Sequence, residues 1–293
     1  MMLKNILMFL IFNVYVIAQQ ISFENEPQIF AAGIISTEIS EVKITFSKDG
    51  KLALWGAVGR ANGIGGLDIW QSLKTDKGWS IPSPASFNSP DNDFDPCFSA
   101  AGDGIYFFSN RPGGFGGDDF YYAAFDTITR TFGEPANMGS QFNTSGDEWG
   151  PCESTDGKKF IFCTDGLGGK GQHDIFICEK KANGWSNPKN LDILNSAEDD
   201  FDPLLLHDNK TIIFTRKFSD DEACLFISYL NENGYSEAVR LNETINIQGT
   251  WNFGSCLNNS EKNYLYYSTH IKDNNIGRLD IYRIGYNLNT SGQ

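Results

Sequence analysis

From Asp91 to Tyr122 the chain alternates apolar and polar positions in short runs, each closed by a cluster of Gly, Pro, Asn or Asp, with no helical period between them. The stretch reads D-N-D-F-D-P-C-F-S-A-A-G-D-G-I-Y-F-F-S-N-R-P-G-G-F-G-G-D-D-F-Y-Y. An acidic turn closes on Pro96, an apolar run reaches Gly102, and Ile105–Ser109 alternates like a strand. The Gly-rich segment Arg111–Gly117 then leads into an aromatic strand that starts at Asp119. Strands parted by turn clusters in this way predict an antiparallel hairpin unit.

The unit recurs. Turns at Gly50, Gly102, Gly157, Asn209 and Lys262 are separated by 52, 55, 52 and 53 residues. An aromatic or aliphatic strand follows each one: Leu52–Trp55, Ile105–Phe108, Phe160–Phe162, Ile212–Phe214 and Tyr264–Tyr267. A loop and then an Asp-apolar-aromatic motif come next, as Asp68-Ile69-Trp70, Asp119-Phe120-Tyr121, Asp174-Ile175-Phe176 and Asp280-Ile281-Tyr282, with Cys224-Leu225-Phe226 departing from it in the fourth copy. A third landmark, an aromatic followed three positions on by Pro or Ala, appears as Trp79…Pro82, Phe132…Pro135, Trp185…Pro188 and Tyr235…Ala238. The fifth copy lacks it, while Phe23…Pro27 and the apolar run Ile29–Ile35 look like that piece at the opposite end. A period near fifty with four strand-sized segments predicts an all-β, five-bladed β-propeller, closed by an N-terminal strand that completes the last blade; six blades are the alternative.

Residues 1–18 stand apart from the repeats. Lys4 is their only charge, Asn5–Ile17 is mostly apolar, and Val16-Ile17-Ala18 offers small residues for cleavage. This predicts a secretory signal peptide followed by one propeller domain over 19–293, exported to the periplasm or secreted. Without Lys4, 37 acidic residues face 22 basic ones, which excludes nucleic acid and anionic lipid as expected partners, and no membrane insertion is expected. Six cysteines in an exported chain invite a disulfide framework. However, Cys97, Cys152 and Cys256 fall at equivalent places in three blades and Cys163, Cys178 and Cys224 inside other strands, so all six read as small buried hydrophobes. Cys163–Cys178 is the one bridge worth checking.

In an up-and-down blade, the loop that enters the innermost strand and the loop between the second and third strands share a face. The entering loops carry Asp91, Asp93 and Asp95, then Asp147-Glu148-Trp149, then Glu198–Asp202, then Thr250–Phe253; the second-to-third loops are mostly Gly-rich. One face is therefore expected to show an acidic, aromatic mouth, with Asp93, Asp95, Arg111, Phe115, Glu148, Trp149, Asp200, Asp202 and Trp251 as its candidate binding residues. Repetition around the ring also fits plain turn chemistry for the acids, and for the Asp of the Asp-aromatic motif a bond to loop backbone. Asp91, Asp93 and Asp95 alternate as calcium ligands do, but lack the Gly and distal Glu of a full loop; no metal and no cofactor is expected. Gly113–Gly117 is no phosphate loop, since neither Lys-Ser/Thr nor a helix follows.

The run from Asp93 to Tyr121 resembles the WD-like propeller repeat of the TolB family, with Pro96, Phe98, Ser99, Ser109, Arg111, Asp119 and Tyr121 on matching positions. Ser47–Gly50 and Ser154–Gly157 are similar to that family's Ser-Pro-Asp-Gly turn. The Gly184–Pro188 element resembles envelope propellers that accompany OmpA-like domains. The resemblance implies a non-enzymatic propeller that binds an envelope or extracellular protein or peptide; the additional α/β domain of TolB is not expected in this chain. A glycan ligand and a five-bladed glycoside hydrolase are the alternatives. The hydrolase would draw on Asp93, Glu148 and Asp200, whose near-identical contexts argue against an acid–base pair.

Overall fold

The structure is a computed structural model that describes residues 21–288, so the expected leader lies outside the described residues. Those residues form five antiparallel sheets and no helix. The innermost strands are Ser40–Phe46, Asp93–Phe98, Glu148–Glu153, Asp199–Leu205 and Asn252–Leu257. Each packs beside the next, and the fifth returns to the first, so the blades close into a ring of five rather than six. Outer strands follow in order within each blade. In blade five the outermost strand is Ile21–Ile29, paired with Asp280–Leu288 from Ile21 opposite Leu288 to Ile29 opposite Tyr282. The ring is thus sealed by the N-terminal strand, and its register shift falls at Glu24–Gln28, beside Pro27.

Every innermost strand carries a bulge at the same place. The pairing with its neighbour skips at Lys43, Asp95, Gly150, Asp202 and Gly254. All five have φ between 49° and 63°, and the kink aims each residue at the ring axis. The fourth strands are broken in two around the third landmark, as Gly78–Trp79 and Ser83–Pro84 in blade one and Gly184–Trp185 and Lys189–Asn190 in blade three. Proline has no N–H for a ladder, so continuous pairing stops there. An asparagine repairs the gap: Asn88, Asn143, Asn195 and Asn246 each accept from and donate to one backbone unit of the third strand, at Ile69, Phe120, Ile175 and Leu225. In blade five Ser36 does the same for Ile281, from the segment that follows the sealing strand.

The core lies between blades. Phe160 is buried against Tyr106, Phe142 and Trp185, and Phe30 against Phe46, Trp79 and Tyr266, with ring centroids 5.0–5.8 Å apart. Each such ring contributes roughly 1.5–3 kcal/mol by leaving water. All six cysteines are free thiols. Cys163 lies opposite Ile175 and Cys178 opposite Phe160, so the two sit on opposite faces of the hairpin and cannot bridge. Cys97, Cys152 and Cys256, by contrast, line one small cavity between the innermost strands, so the ring draws equivalent positions of different blades together.

Candidate functional site

Three of the acids expected at the mouth lie at the start of the innermost strands, and the structure turns them inward. Asp93, Glu148 and Asp200 are fully buried. Each carboxylate closes the turn that begins four residues earlier. Ser89 N (2.5 Å) and Oγ (2.8 Å) donate to Asp93 Oδ2, and Ser196 N (2.6 Å) and Oγ (2.8 Å) to Asp200 Oδ2. Thr144 N (3.1 Å), Thr144 Oγ1 (2.6 Å) and Thr164 Oγ1 (2.8 Å) donate to Glu148. Glu41 repeats the arrangement with Thr37. Burial pushes Glu148 up to about 7 and Glu41 up to about 6, against these hydrogen bonds. With no exposed surface, these acids cannot meet a partner or a sugar, and their place in the binding set is corrected to scaffold.

Arg111 belongs to the same scaffold. Its guanidinium donates to Asp93 Oδ1 (2.5 Å) and to Phe87 O (3.0 Å) and lies over Phe107 and Tyr121. Arg216 is held likewise by Asp200, Leu194 O, Phe214 and Phe226, and Arg60 by Ile34 O, Trp55 and Trp70. Each of these partly buried guanidiniums is bonded to a backbone carbonyl and stacked on two rings, and Arg111 and Arg216 are also hydrogen-bonded to a buried carboxylate, so they serve the scaffold. The Asp of the repeated motif caps the second-to-third loop: Phe115 N and Gly116 N donate to Asp119, and the pairs Ile64/Gly65, Lys170/Gly171 and Ile276/Gly277 donate to Asp68, Asp174 and Asp280. The fourth blade omits it because Thr211–Ser219 and Glu222–Asn231 run on into a tight hairpin with no loop to cap.

Asp95 and Asp202 reach the axis from their bulges and meet there. Lys43 Nζ donates to Asp202 Oδ1 at 3.1 Å, and the backbone N–H groups of Gly150 and Gly254 donate to Asp95 (3.2 Å) and Asp202 (3.0 Å). Burial, and then the charge of Asp202, raises Asp95 well above the carboxylate range. Burial opposes the charge of Lys43, but Asp202 and Asp95 outweigh it and hold the ammonium protonated. This cluster plugs the channel and is closed to a partner: Lys43, Asp95 and Asp202 are all buried.

The loop face that remains has an acidic half and a half of mixed charge. On blades two to four lie Asp118, Asp147, Asp165 and Asp199 around His173 and Trp149, whose rings stack at 3.9 Å. Trp149 Nε1 donates to Asp118 Oδ2 (2.8 Å). On blades four, five and one an open groove of about 610 Å³ is lined by Val58, Trp251, His270 and Leu279, by the cations Lys217 and Arg278 and by Asp220 and Asp221, with Lys217 Nζ paired to Asp220 Oδ1 at 2.9 Å. Lys217 lies 5.5 Å from the Trp251 ring, and Trp251 Nε1 is a buried donor with no partner among the described residues. The Arg278 side chain is exposed and makes no ion pair among the described residues. Phe115 stands half-exposed on the blade-two loop and does not line the groove. Of the candidate residues, then, Trp149, Trp251 and Phe115 reach the surface, while Lys217, His270 and Arg278 belong to the face and were not anticipated.

No family model matches the chain, and no curated protein matches it in sequence. Among solved structures it is similar to an α-L-arabinofuranosidase from Lactobacillus brevis, at 16% identity and a TM-score of 0.54, over 84% of this chain and 91% of that one. It is similar to the protein assigned as TolB from Agrobacterium tumefaciens, at 14% identity and a TM-score of 0.50, over 84% and 83%. TolB from Acinetobacter baumannii aligns at 17% identity and a TM-score of 0.49 over 84% of this chain, which spans about half, 55%, of that protein. At these identities the likeness is one of fold, a TolB-like propeller that also carries hydrolase activity in other proteins.

Proposed function

We propose that the protein is an exported binding module whose loop face captures a segment of an envelope or extracellular protein. The observation that carries this reading is the groove beside Trp251. An aromatic wall with an unpartnered Nε1–H and the exposed cation Arg278, beside a Lys217 already paired with Asp220 at 2.9 Å, suit an apolar peptide side chain next to a carboxylate. A glycoside hydrolase needs two accessible carboxylates about 5–9.5 Å apart across a cleft. The three that equivalent blade positions would have supplied, Asp93, Glu148 and Asp200, are buried in turn bonds, which supports binding over hydrolysis.

The test is capture from envelope extract by the full chain, followed by affinity measurement with the purified partner. Trp251→Ala is expected to weaken that affinity by about 2 kcal/mol or more, roughly 30-fold, as for an aromatic anchor in a pocket. Arg278→Glu should weaken it further for a partner that presents a carboxylate. A partner held equally by wild type and both variants would place binding elsewhere; release of reducing sugar from a glycan panel would overturn the non-enzymatic reading.

A further inference from the structure

We propose that Asp147, Asp165 and His173 form a binding site for one divalent transition-metal ion of the zinc class, on the acidic half of the loop face. One ligand atom from each lies within 4.8 Å of the other two. The ring of His173 is buried, with its side chain 7% exposed, and it has one nitrogen to spare. Nδ1 is engaged by Asp199 Oδ1 at 2.9 Å, which selects the tautomer and fixes the ring, while Nε2 is buried with no hydrogen-bond partner. A histidine oriented by a carboxylate on one nitrogen and left open on the other is the arrangement of a metal-ligating imidazole. A buried Nε2 without a partner is otherwise a cost.

The neighbouring blade shows that the two aspartates exceed what the turns require. In blade two, Asn92 Oδ1 accepts from Leu67 N of the preceding blade, and Asn110 Oδ1 accepts from Asn92 N. In blade three the same two bonds go to Asp147 Oδ1 from Asp118 N, and to Asp165 Oδ1 from Asp147 N, both at 2.8 Å. A neutral amide makes both bonds, so the turn does not require the charges on Asp147 and Asp165. They do place two further carboxylate oxygens toward His173. No Lys or Arg ion-pairs with either among the described residues, and Asp118 and Asp199 add to the negative field. Two carboxylates and one imidazole are too nitrogen-rich for a calcium preference and match zinc with three protein ligands. Asp165 is exposed, so coordination positions remain open to water. The inference is independent of the groove at Trp251.

The test is calorimetric titration of the chelator-stripped full chain with zinc chloride, with calcium and magnesium chloride in parallel, and the visible spectrum of the cobalt(II) complex. One zinc per chain is expected, with calcium weaker. Asp147→Asn and Asp165→Asn reproduce the amides of blade two and should leave thermal unfolding of the metal-free chain unchanged, yet weaken zinc by more than the roughly 10-fold that even an outer partner costs. Asp199→Asn should weaken it by about 10- to 100-fold, and His173→Gln should alter the cobalt spectrum. No zinc uptake by the wild type, equal uptake by the Asp147→Asn/Asp165→Asn double variant, or calcium bound more tightly than zinc would each overturn the assignment.

Discussion

Replacing Lys43 with Met would leave Asp95 and Asp202 side by side on the axis with no cation to compensate them. Breaking a buried ion pair from one side costs about 3–5 kcal/mol, so Lys43→Met should lower unfolding stability by that order at pH 8. The sign of the pH effect follows from Asp95, whose folded value already stands above its unfolded one. Between those two values the folded state holds more protons than the unfolded state, so stability rises as pH falls through that window. Without Lys43, whose charge lowers it, Asp95 moves further in that direction, and the deficit of the variant should shrink from pH 8 toward pH 5 in denaturant titrations. A deficit independent of pH would mean that Lys43 acts through its packed stem alone. The residues that make the axis and the mouth were legible only in part. Asp95 and Asp202 stand out in the sequence as acids, but their partner Lys43 is a lone lysine in a strand, and only the repeated bulge explains it. Asp93, Glu148 and Asp200 repeat around the ring because they build it. The signal for the face lay instead where blades differ: His173 and Asp118 stand where Leu67 and Leu279 precede the repeated Asp, and Trp251, just before Asn252, stands where Asn92, Asp147 and Asp199 precede the buried acids Asp93, Glu148 and Asp200.

Within a blade, one carboxylate organises the second-to-third loop by accepting two successive backbone N–H groups. Asp119 does so for Phe115 and Gly116, and also accepts from Asn137 at 3.1 Å. Charge-assisted bonds of this kind contribute about 1.5–3 kcal/mol each. Asp119→Ala should therefore cost about 3 kcal/mol, and the amides of Phe115 and Gly116 should lose hydrogen-exchange protection while those of Gly104–Ser109 keep it. Unchanged exchange at the two amides would show that the glycines hold the loop without the cap. This element was legible because its Asp, loop and aromatic strand recur in order, and even the exception in blade four has a cause, since a tight hairpin needs no cap. The asparagine staples escaped notice although Asn88, Asn143, Asn195 and Asn246 recur with nearly the period of the turns. Asn between Pro-rich landmarks reads as ordinary turn composition, and nothing local reveals that its partner is a strand about twenty residues back.

At the scale of the molecule the ring is a closed sum of five near-equal units, and its weak point is the join. Four blades are each made from one contiguous stretch; the fifth is completed across the chain by Ile21–Ile29 on Asp280–Leu288, by Phe30 N bonded to Ile281 O (2.8 Å) and by Phe30 packed on Phe46, Trp79 and Tyr266. The blade count and closure were legible because both follow from the period and from one spare outer strand. The sites were not, because they depend on which side chains of different blades face one another. Deletion of residues 21–29 would strip the outer partner from Asp280–Leu288 and present an unpaired nine-residue edge. Two outcomes are then expected together. Heat unfolding should lose its single cooperative transition, since the ring no longer couples its first and last blades. Size-exclusion with light scattering should show concentration-dependent association through the bare edge, absent in the full chain. Phe30→Ala separates the two causes. It keeps the ladder but removes a buried ring, so it should cost about 3–5 kcal/mol without association. A truncated chain that stays monomeric and melts in one transition would show that the four contiguous blades and three strands of the fifth suffice, and that the sealing strand covers an edge without closing the ring.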